Sequence, residues 1–343
     1  MAVPSTLETW RQFVAHSPTR PDTLTARQMS RLSDAARAEY DDARVRWMGA
    51  DIVLETPDIR NLRRLWAVLA VETRFDTSAL SRTLAVSGAP TYGKSTVVMW
   101  IAKSYERTER RRHPNLPTRE FQPAVYVVTP PATTPKMLMV AFCNTLGLPH
   151  ANRQNAQDLT EQVIRVLREL RTTLVVLDEI HNVHSNRRVG AEAASTLKLF
   201  AERVDAAFLI AGIDLPRSPV FAGPVGEQLA GRAMRYDMLG YSYRSVAGRQ
   251  AWNALVATVN DLLPLARQSE GQLDSAAGFL FDITDGSIGR LRALVRRTAI
   301  DAILSGRERI DKTDLERFAA AIGETPLQRP GSARTMGAEA ESA

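Results

Sequence analysis

The chain has 343 residues, 44% hydrophobic and 24% charged, which is enough apolar material for about two globular domains with sizeable cores. A single cysteine, Cys143, excludes a disulfide framework and any cysteine-based zinc site, and no apolar run approaches the roughly 20 residues that span a bilayer. The formal net charge is +6; five of the 44 cationic residues are lysine and the rest arginine, a skew that suits phosphate recognition and equally suits nucleotide bias in the source genome. Aromatics at 6% argue against a single-strand binder built on base stacking. The amino terminus lacks the basic-then-apolar layout of a secretory signal, so the chain is expected in the cytoplasm with no membrane partner.

From the start to about Asp76 the pattern is helical. Leu24–Met48 spaces Met29, Leu32, Ala36 and Tyr40 loosely by three and four, and Thr56-Pro57-Asp58 is a helix start followed by Leu62, Leu65, Trp66 and Leu69. From Thr83 short β-rich runs alternate with helices: strands at Leu84–Ser87, Ala124–Thr129, Leu174–Leu177 and Ala207–Ile210, and helices at Thr96–Glu106, Pro135–Leu146, Leu159–Leu170 and Ala191–Val204. The strand runs are continuously apolar, as in a parallel sheet covered on both faces. After Gly248 only helices are read: Trp252–Leu265, Ser275–Phe281, Ile288–Leu304 and Thr313–Ile322, the last with a capping box of Thr313 and Glu316. The expected division is a helical lead-in over 1–76, an α/β domain over 77–247, a helical lid over 248–324 and a disordered tail over 325–343.

The chemistry is concentrated in two runs. Gly88-Ala89-Pro90-Thr91-Tyr92-Gly93-Lys94-Ser95, followed by Thr96, fits G-x-x-x-x-G-K-[ST] between a strand and a helix. Such a loop curls its N–H groups toward phosphate, adds a helix dipole, brings Lys94 to the β/γ-phosphates and sets the Ser95 hydroxyl to ligate Mg²⁺. Leu174-Val-Val-Leu177-Asp178-Glu179 is the second run. Asp178 at the strand's carboxyl end is expected to hold the Mg²⁺, partly through water, and Glu179 to orient or deprotonate the attacking water. ATP and Mg²⁺ are the expected cofactors. A further strand lies between the two motif strands in sequence, so they are not expected to be sheet neighbours. His181 and His184 lie beside the acidic pair but are not read as a metal site, and Cys143 is read as core filler.

Asp178-Glu-Ile-His181-Asn182, the helix with Thr196-Leu197-Lys198, and Gly226-Glu227-Gln228-Leu229-Ala-Gly-Arg232 resemble the TniB-type AAA+ ATPases, transposon-encoded partners of transposases related to TnsC. Pro123-Ala-Val-Tyr-Val-Val-Thr-Pro-Pro with Leu146-Gly-Leu-Pro149, and Gly286-Ser-Ile-Gly289-Arg290-Leu291, extend the likeness over roughly Asp58 to Ile322. The resemblance implies an α/β P-loop NTPase fold of the AAA+ (ASCE) type: a three-layer parallel sheet with helices in front and a helical lid. It further implies a ring or filament of identical subunits in which Arg232, with Arg235 as the other candidate, reaches the γ-phosphate of a neighbour. Arg290 or Arg292 stands for the lid's sensor arginine, although Gly289 occupies the usual place. At the end of the fourth strand Ile213 sits where a hydroxyl sensor is common, leaving Asp214 as the polar substitute.

Basic clusters at Arg110-Arg111-Arg112 and Arg187-Arg188 are candidate contacts to the phosphates of duplex DNA, with a third at Arg290, Arg292, Arg296 and Arg297. The expected function is an ATP-dependent, DNA-binding AAA+ regulator of transposition that assembles on target DNA and recruits a transposase. The rivals are an initiator or helicase-loader ATPase and a nucleotide-gated scaffold or signalling module.

Overall fold

The computed structural model describes residues 3–50, 52–73, 82–183 and 187–323. His184 and the tail from residue 324 therefore lie outside the described residues. The chain divides into two compact units: residues up to Pro21 with Ala43–Leu239, and Asp22–Asp42 with the segment from Gly240.

The first unit is a parallel sheet between two helical layers. Its strands are β1 (Thr83–Gly88), β2 (Ala124–Val128), β3 (Leu174–Asp178), β4 (Ala207–Gly212) and β5 (Met234–Met238), in the order β2-β3-β4-β1-β5. Its helices are α1 (Leu7–Ala15), α4 (Pro57–Glu72), α5 (Lys94–Arg112), α6 (Pro135–Leu146), α7 (Ala156–Glu169), α8 (Arg187–Arg203) and α9 (Gly223–Arg232). The apolar strand runs fold this way because both faces must be covered, and the two-residue period divides them. Ala85, Val125, Val127, Val175, Leu177, Phe208 and Ile210 join Phe142, Cys143 and Phe200 of α6 and α8 in one core. Leu84, Val86, Tyr126, Val176 and Leu209 join Trp10, Leu62, Trp66, Val97 and Ile101 of α1, α4 and α5 in the other.

The motif strands β1 and β3 are indeed not neighbours, but the strand between them is β4; β2, which separates them in sequence, lies at the sheet edge. Strand β5 was not expected. Met234-Arg-Tyr-Asp-Met238 alternates apolar with charged residues because it closes the other edge and only part of it is covered, so it lacks the apolar run of its neighbours.

The second unit holds α2 (Ala26–Met29), the start of α3 (Asp34–Met48), α10 (Val246–Asp261), α11 (Ala277–Thr284), α12 (Ile288–Leu304) and α13 (Lys312–Ala321). The helical pattern over Leu24–Met48 is broken in two, with Thr25 and Gln28 forming a capping box on α2 and the Ser33 hydroxyl accepting from the Ala36 amide at the start of α3. The capping box expected at Thr313 and Glu316 is corrected to Asp311 and Asp314. Asp311 is extended (φ −131°, ψ −174°) and each carboxylate accepts from the other's amide, at 3.1 and 3.2 Å, so Thr313 already lies in the first turn.

Candidate functional site

Strand β1 delivers the chain at Gly88 into the loop 89–93, and α5 starts at Lys94. Gly93, the residue before the helix, has φ +94° and no side-chain cap, so the first-turn amides of a 19-residue helix are left for another acceptor. Thr91 is also left-handed (φ 66°), a conformation that costs a β-branched residue about 1–2 kcal/mol and marks the loop as curled by its surroundings. Gly88 is needed for a different reason. A β-carbon there would stand 2.9 Å from the Met238 carbonyl oxygen and 3.1 Å from its Cβ, because β5 pairs directly alongside.

Lys94 is buried, and its Nζ donates to the Ala89 carbonyl at 2.8 Å across the loop. Burial pulls its ammonium below the ordinary lysine range, while the carboxylates of Glu179 and Asp178 oppose that pull. Ser95 and Thr96 follow, half-buried in the first turn, whereas Ala89, Pro90 and Thr91 are exposed and Tyr92 is half-buried.

The acidic pair sits at the carboxyl end of β3. Asp178 is 1% exposed, and its two oxygens are both engaged: Oδ2 accepts from the Tyr126 hydroxyl at 2.7 Å and Oδ1 from the Glu179 amide at 2.8 Å. Burial and the adjacent Asp178 carboxylate push the Tyr126 phenol far up, so it stays a donor. The Tyr126 ring is in turn stacked on Trp10 of α1, centroids 5.7 Å apart and 9° from parallel. Trp10 Nε1 donates to the buried Glu106 carboxylate at 2.5 Å, which also accepts from Gln122 and Arg110.

Glu179 then turns left-handed (φ 57°), which swings its side chain out of the strand and leaves it 38% exposed. The turn at Ile180–Asn182 that follows is fastened to both adjacent strands. Asn182 Nδ2 donates to the Thr129 carbonyl just after β2, and His181 Nδ1 accepts from the Ile213 amide just after β4, at 3.2 Å.

The arrangement is a phosphate-sized loop with free helix amides, a buried ammonium, a hydroxyl, a buried carboxylate and a half-exposed one, at the carboxyl ends of β1 and β3. That donor set fits a nucleoside triphosphate with a hard divalent cation, whose ligands are oxygens. Among the described residues no cluster of three or more histidine, cysteine or acidic side chains forms any other metal centre.

The model of the bacterial TniB proteins matches residues 44–222, more than half of the chain. The chain belongs to the TniB family. No curated protein matches it. Solved structures that resemble this TniB-family chain include the ADP form of ORC2 from Aeropyrum pernix, at TM-score 0.63 and 16% identity, covering 80% of this chain and 72% of that one. Drosophila ORC bound to DNA aligns at TM-score 0.57 and 16% identity, covering 93% and 73%. Cdc6p from Pyrobaculum aerophilum aligns at 0.53 and 17%, covering 79% and 69%. At such identity the likeness concerns the fold, and it agrees with the sheet order: this is an AAA+ P-loop ATPase fold.

Other residues singled out in the TniB-family sequence have varied surroundings. Arg232 is exposed as the last residue of α9, and Arg235 is exposed within β5. Since β5 runs parallel to β1, with Met234 beside Leu84 and Met238 beside Gly88, Arg232 stands at the opposite end of the sheet from the loop of its own chain. In the first basic cluster Arg110 is committed inward, 2.8 Å from the buried Glu106 carboxylate, while Arg111 and Arg112 are exposed and Arg112 pairs with Glu109 at 2.6 Å. Lys103 and Arg107 donate to the carbonyls that end α1. Arg188 is exposed and paired with Glu192 at 3.2 Å; the Arg187 side chain lies outside the described residues.

Asp214 is left-handed (φ 45°), with its carboxylate 3.7 Å from Arg217. Arg290 is exposed on α12 and Arg292 half-buried. The sequence does not single out Tyr126, whose signal is hidden in an apolar strand, and it shows His181 without its contact to Ile213, which is a backbone amide. No helix of the described residues is long and apolar enough to cross a membrane.

Proposed function

We propose that the chain binds ATP with Mg²⁺, hydrolyses it, and uses the nucleotide to assemble identical subunits on duplex DNA as a regulator that recruits a transposase. The observation that carries the nucleotide part of the reading is geometric: buried Lys94, opening the helix after β1, and Asp178-Glu179, at the carboxyl end of β3, share one end of the sheet although 84 residues separate them and β4 lies between their strands. The free amides before and within the first turn of α5 and the Lys94 ammonium take the phosphates. Ser95 and Asp178 hold the metal, which when bound supplies charge neutralisation at the β- and γ-phosphates. Glu179, turned outward by its left-handed backbone, accepts the proton of the attacking water.

Arg232 acts in trans in this reading, because it stands a strand length of roughly 13 Å away from its own loop. DNA is gripped through its phosphates by Arg111, Arg112, Arg187 and Arg188, in keeping with the net charge of +6; Arg110 serves α5 itself. The DNA-bound ORC neighbour and the TniB match support a nucleic-acid partner.

Phosphate release from purified protein, with and without duplex DNA, tests the reading. Lys94→Ala should lose nucleotide binding and assembly together, whereas Glu179→Gln should keep binding and lose turnover. DNA affinity should fall linearly in log K against log salt, and electron microscopy with a non-hydrolysable ATP analogue should show rings or filaments on DNA. Turnover retained in Glu179→Gln, or affinity indifferent to salt, would remove the corresponding assignment.

A further inference from the structure

The residue that follows β4 at its carboxyl end, where a hydroxyl sensor is common, is an isoleucine, Ile213. Its backbone is nonetheless tied to the chemistry. The Ile213 amide donates to His181 Nδ1 at 3.2 Å, and His181 Nε2 lies 3.3 Å from Glu179 Oε2. The first contact settles the second. A nitrogen that accepts an N–H cannot itself carry a proton, so in the neutral ring the proton sits on Nε2, the nitrogen nearest the Glu179 carboxylate.

We infer that His181 is a positioning residue for Glu179: it transmits the placement of the β4 terminus to the carboxylate that faces the attacking water. The inference rests on the proposed role of Glu179. The contact of Nε2 engages Oε2 from one side and leaves Oε1 to meet water.

The surroundings make the ring a rigid link. Gly212 has no room for a side chain: a β-carbon there would be 2.6 Å from Leu215 Cδ2, 3.1 Å from Ile180 Cγ2 and 3.3 Å from the His181 amide. The end of β4 therefore packs directly on the turn that carries His181. On the other side, Asn182 is held by the Thr129 carbonyl at 2.9 Å, and its amide closes the turn onto the Glu179 carbonyl. Two residues beyond Ile213, the Leu215 amide donates to the Ser87 hydroxyl at 3.2 Å, immediately before the phosphate loop. The segment after β4 thus touches the base of the loop through Ser87 and the water-facing carboxylate through His181.

The test uses the full chain, steady-state ATP turnover with duplex DNA, and binding of a fluorescent ATP analogue. His181→Ala should lower kcat by about 10–100-fold, the effect of a misplacement near 1 Å, with KM and analogue affinity changed less than about twofold. Two further variants separate the contacts. In His181→Asn the amide oxygen replaces Nδ1 and keeps the Ile213 bond but falls short of Glu179, so kcat should stay low. In His181→Gln the longer amide reaches Glu179, so kcat should recover part of the loss.

A thermal melt of each variant reports folding, and only variants within a few degrees of the parent are compared. Full kcat in His181→Ala, alongside an inactive Glu179→Gln, would overturn the positioning role while sparing Glu179. Loss of analogue affinity in parallel with kcat would overturn it too, since that is the signature of a general structural defect. An active Glu179→Gln would instead bring down the parent reading.

Discussion

The two glycines of the phosphate loop serve different physical needs, and a pair of substitutions at each should rank in opposite orders. Gly93 has φ +94° and ψ 15°, and a β-carbon there meets nothing within 4 Å, so the cost of a side chain is backbone strain alone. Alanine pays about 1–2 kcal/mol for that conformation, and asparagine, which visits the left-handed region more readily, pays less. Gly88 lies within β1, where a β-carbon would press to 2.9 Å from the Met238 carbonyl oxygen, an atom fixed by strand pairing. Alanine must spread β1 from β5 at about 1–3 kcal/mol, and the larger asparagine costs more. At about 2–4 °C per kcal/mol for a unit of this size, Gly93→Ala should melt roughly 2–8 °C below the parent and Gly88→Ala roughly 2–12 °C. The assay is thermal unfolding without nucleotide, so that contacts to phosphate play no part. Asparagine should melt above alanine at position 93 and below it at position 88. The same rank order at both positions would refute the assignment of strain to one and crowding to the other.

Tyr126→Phe removes the hydroxyl that donates to buried Asp178 at 2.7 Å; a hydrogen bond to a charged group contributes about 1.5–3 kcal/mol, so the melting temperature should fall and the Mg²⁺ concentration for half-maximal turnover should rise. Unchanged values for both would show that Asp178 is held by its other contacts. Asp58, in the first turn of α4, has its carboxyl pushed above the ordinary aspartate range by burial, against the opposing hydrogen bond from the Tyr236 hydroxyl. The folded protein then keeps a proton that the unfolded chain has already lost, so this group's contribution to stability declines as pH rises through and above the ordinary aspartate value. Denaturant midpoints should show the parent losing stability relative to Asp58→Asn over that rise, and the opposite slope would contradict burial as the dominant cause.

What the sequence revealed followed physical constraint. Strands β1 to β4 were legible because helices on both faces demand unbroken apolar runs, while β5, partly uncovered at the edge, alternates and passes for a loop. The phosphate loop and Asp178-Glu179 were legible because their chemistry requires fixed residue types at fixed spacing. His181 was visible as a histidine but not as a link, since its partner at Ile213 is a backbone amide that leaves no trace in residue identity. Likewise Arg110, Arg111 and Arg112 are one basic run in sequence; helical i,i+4 spacing pairs Arg110 with Glu106, but only the fold buries that carboxylate and adds Gln122 to it. The sharing of one compact unit by Asp22–Asp42 and the segment from Gly240 arises from contacts more than 190 residues apart, such as Arg37 with Glu308 at 2.8 Å, which no local pattern encodes.

The TniB match ends at residue 222, and a fragment trimmed to residues 44–222 would be a poor surrogate for the whole. It would lack β5, so the backbone of Leu84–Gly88 would become an open sheet border inviting intermolecular pairing at the strand that feeds the phosphate loop. It would also lack Trp10, stripping the aromatic backing from Tyr126 and one of the donors from Glu106. Poor solubility or weak magnesium response in such a fragment would therefore reflect its cut ends, and a useful truncation keeps α1 at one end and β5 at the other.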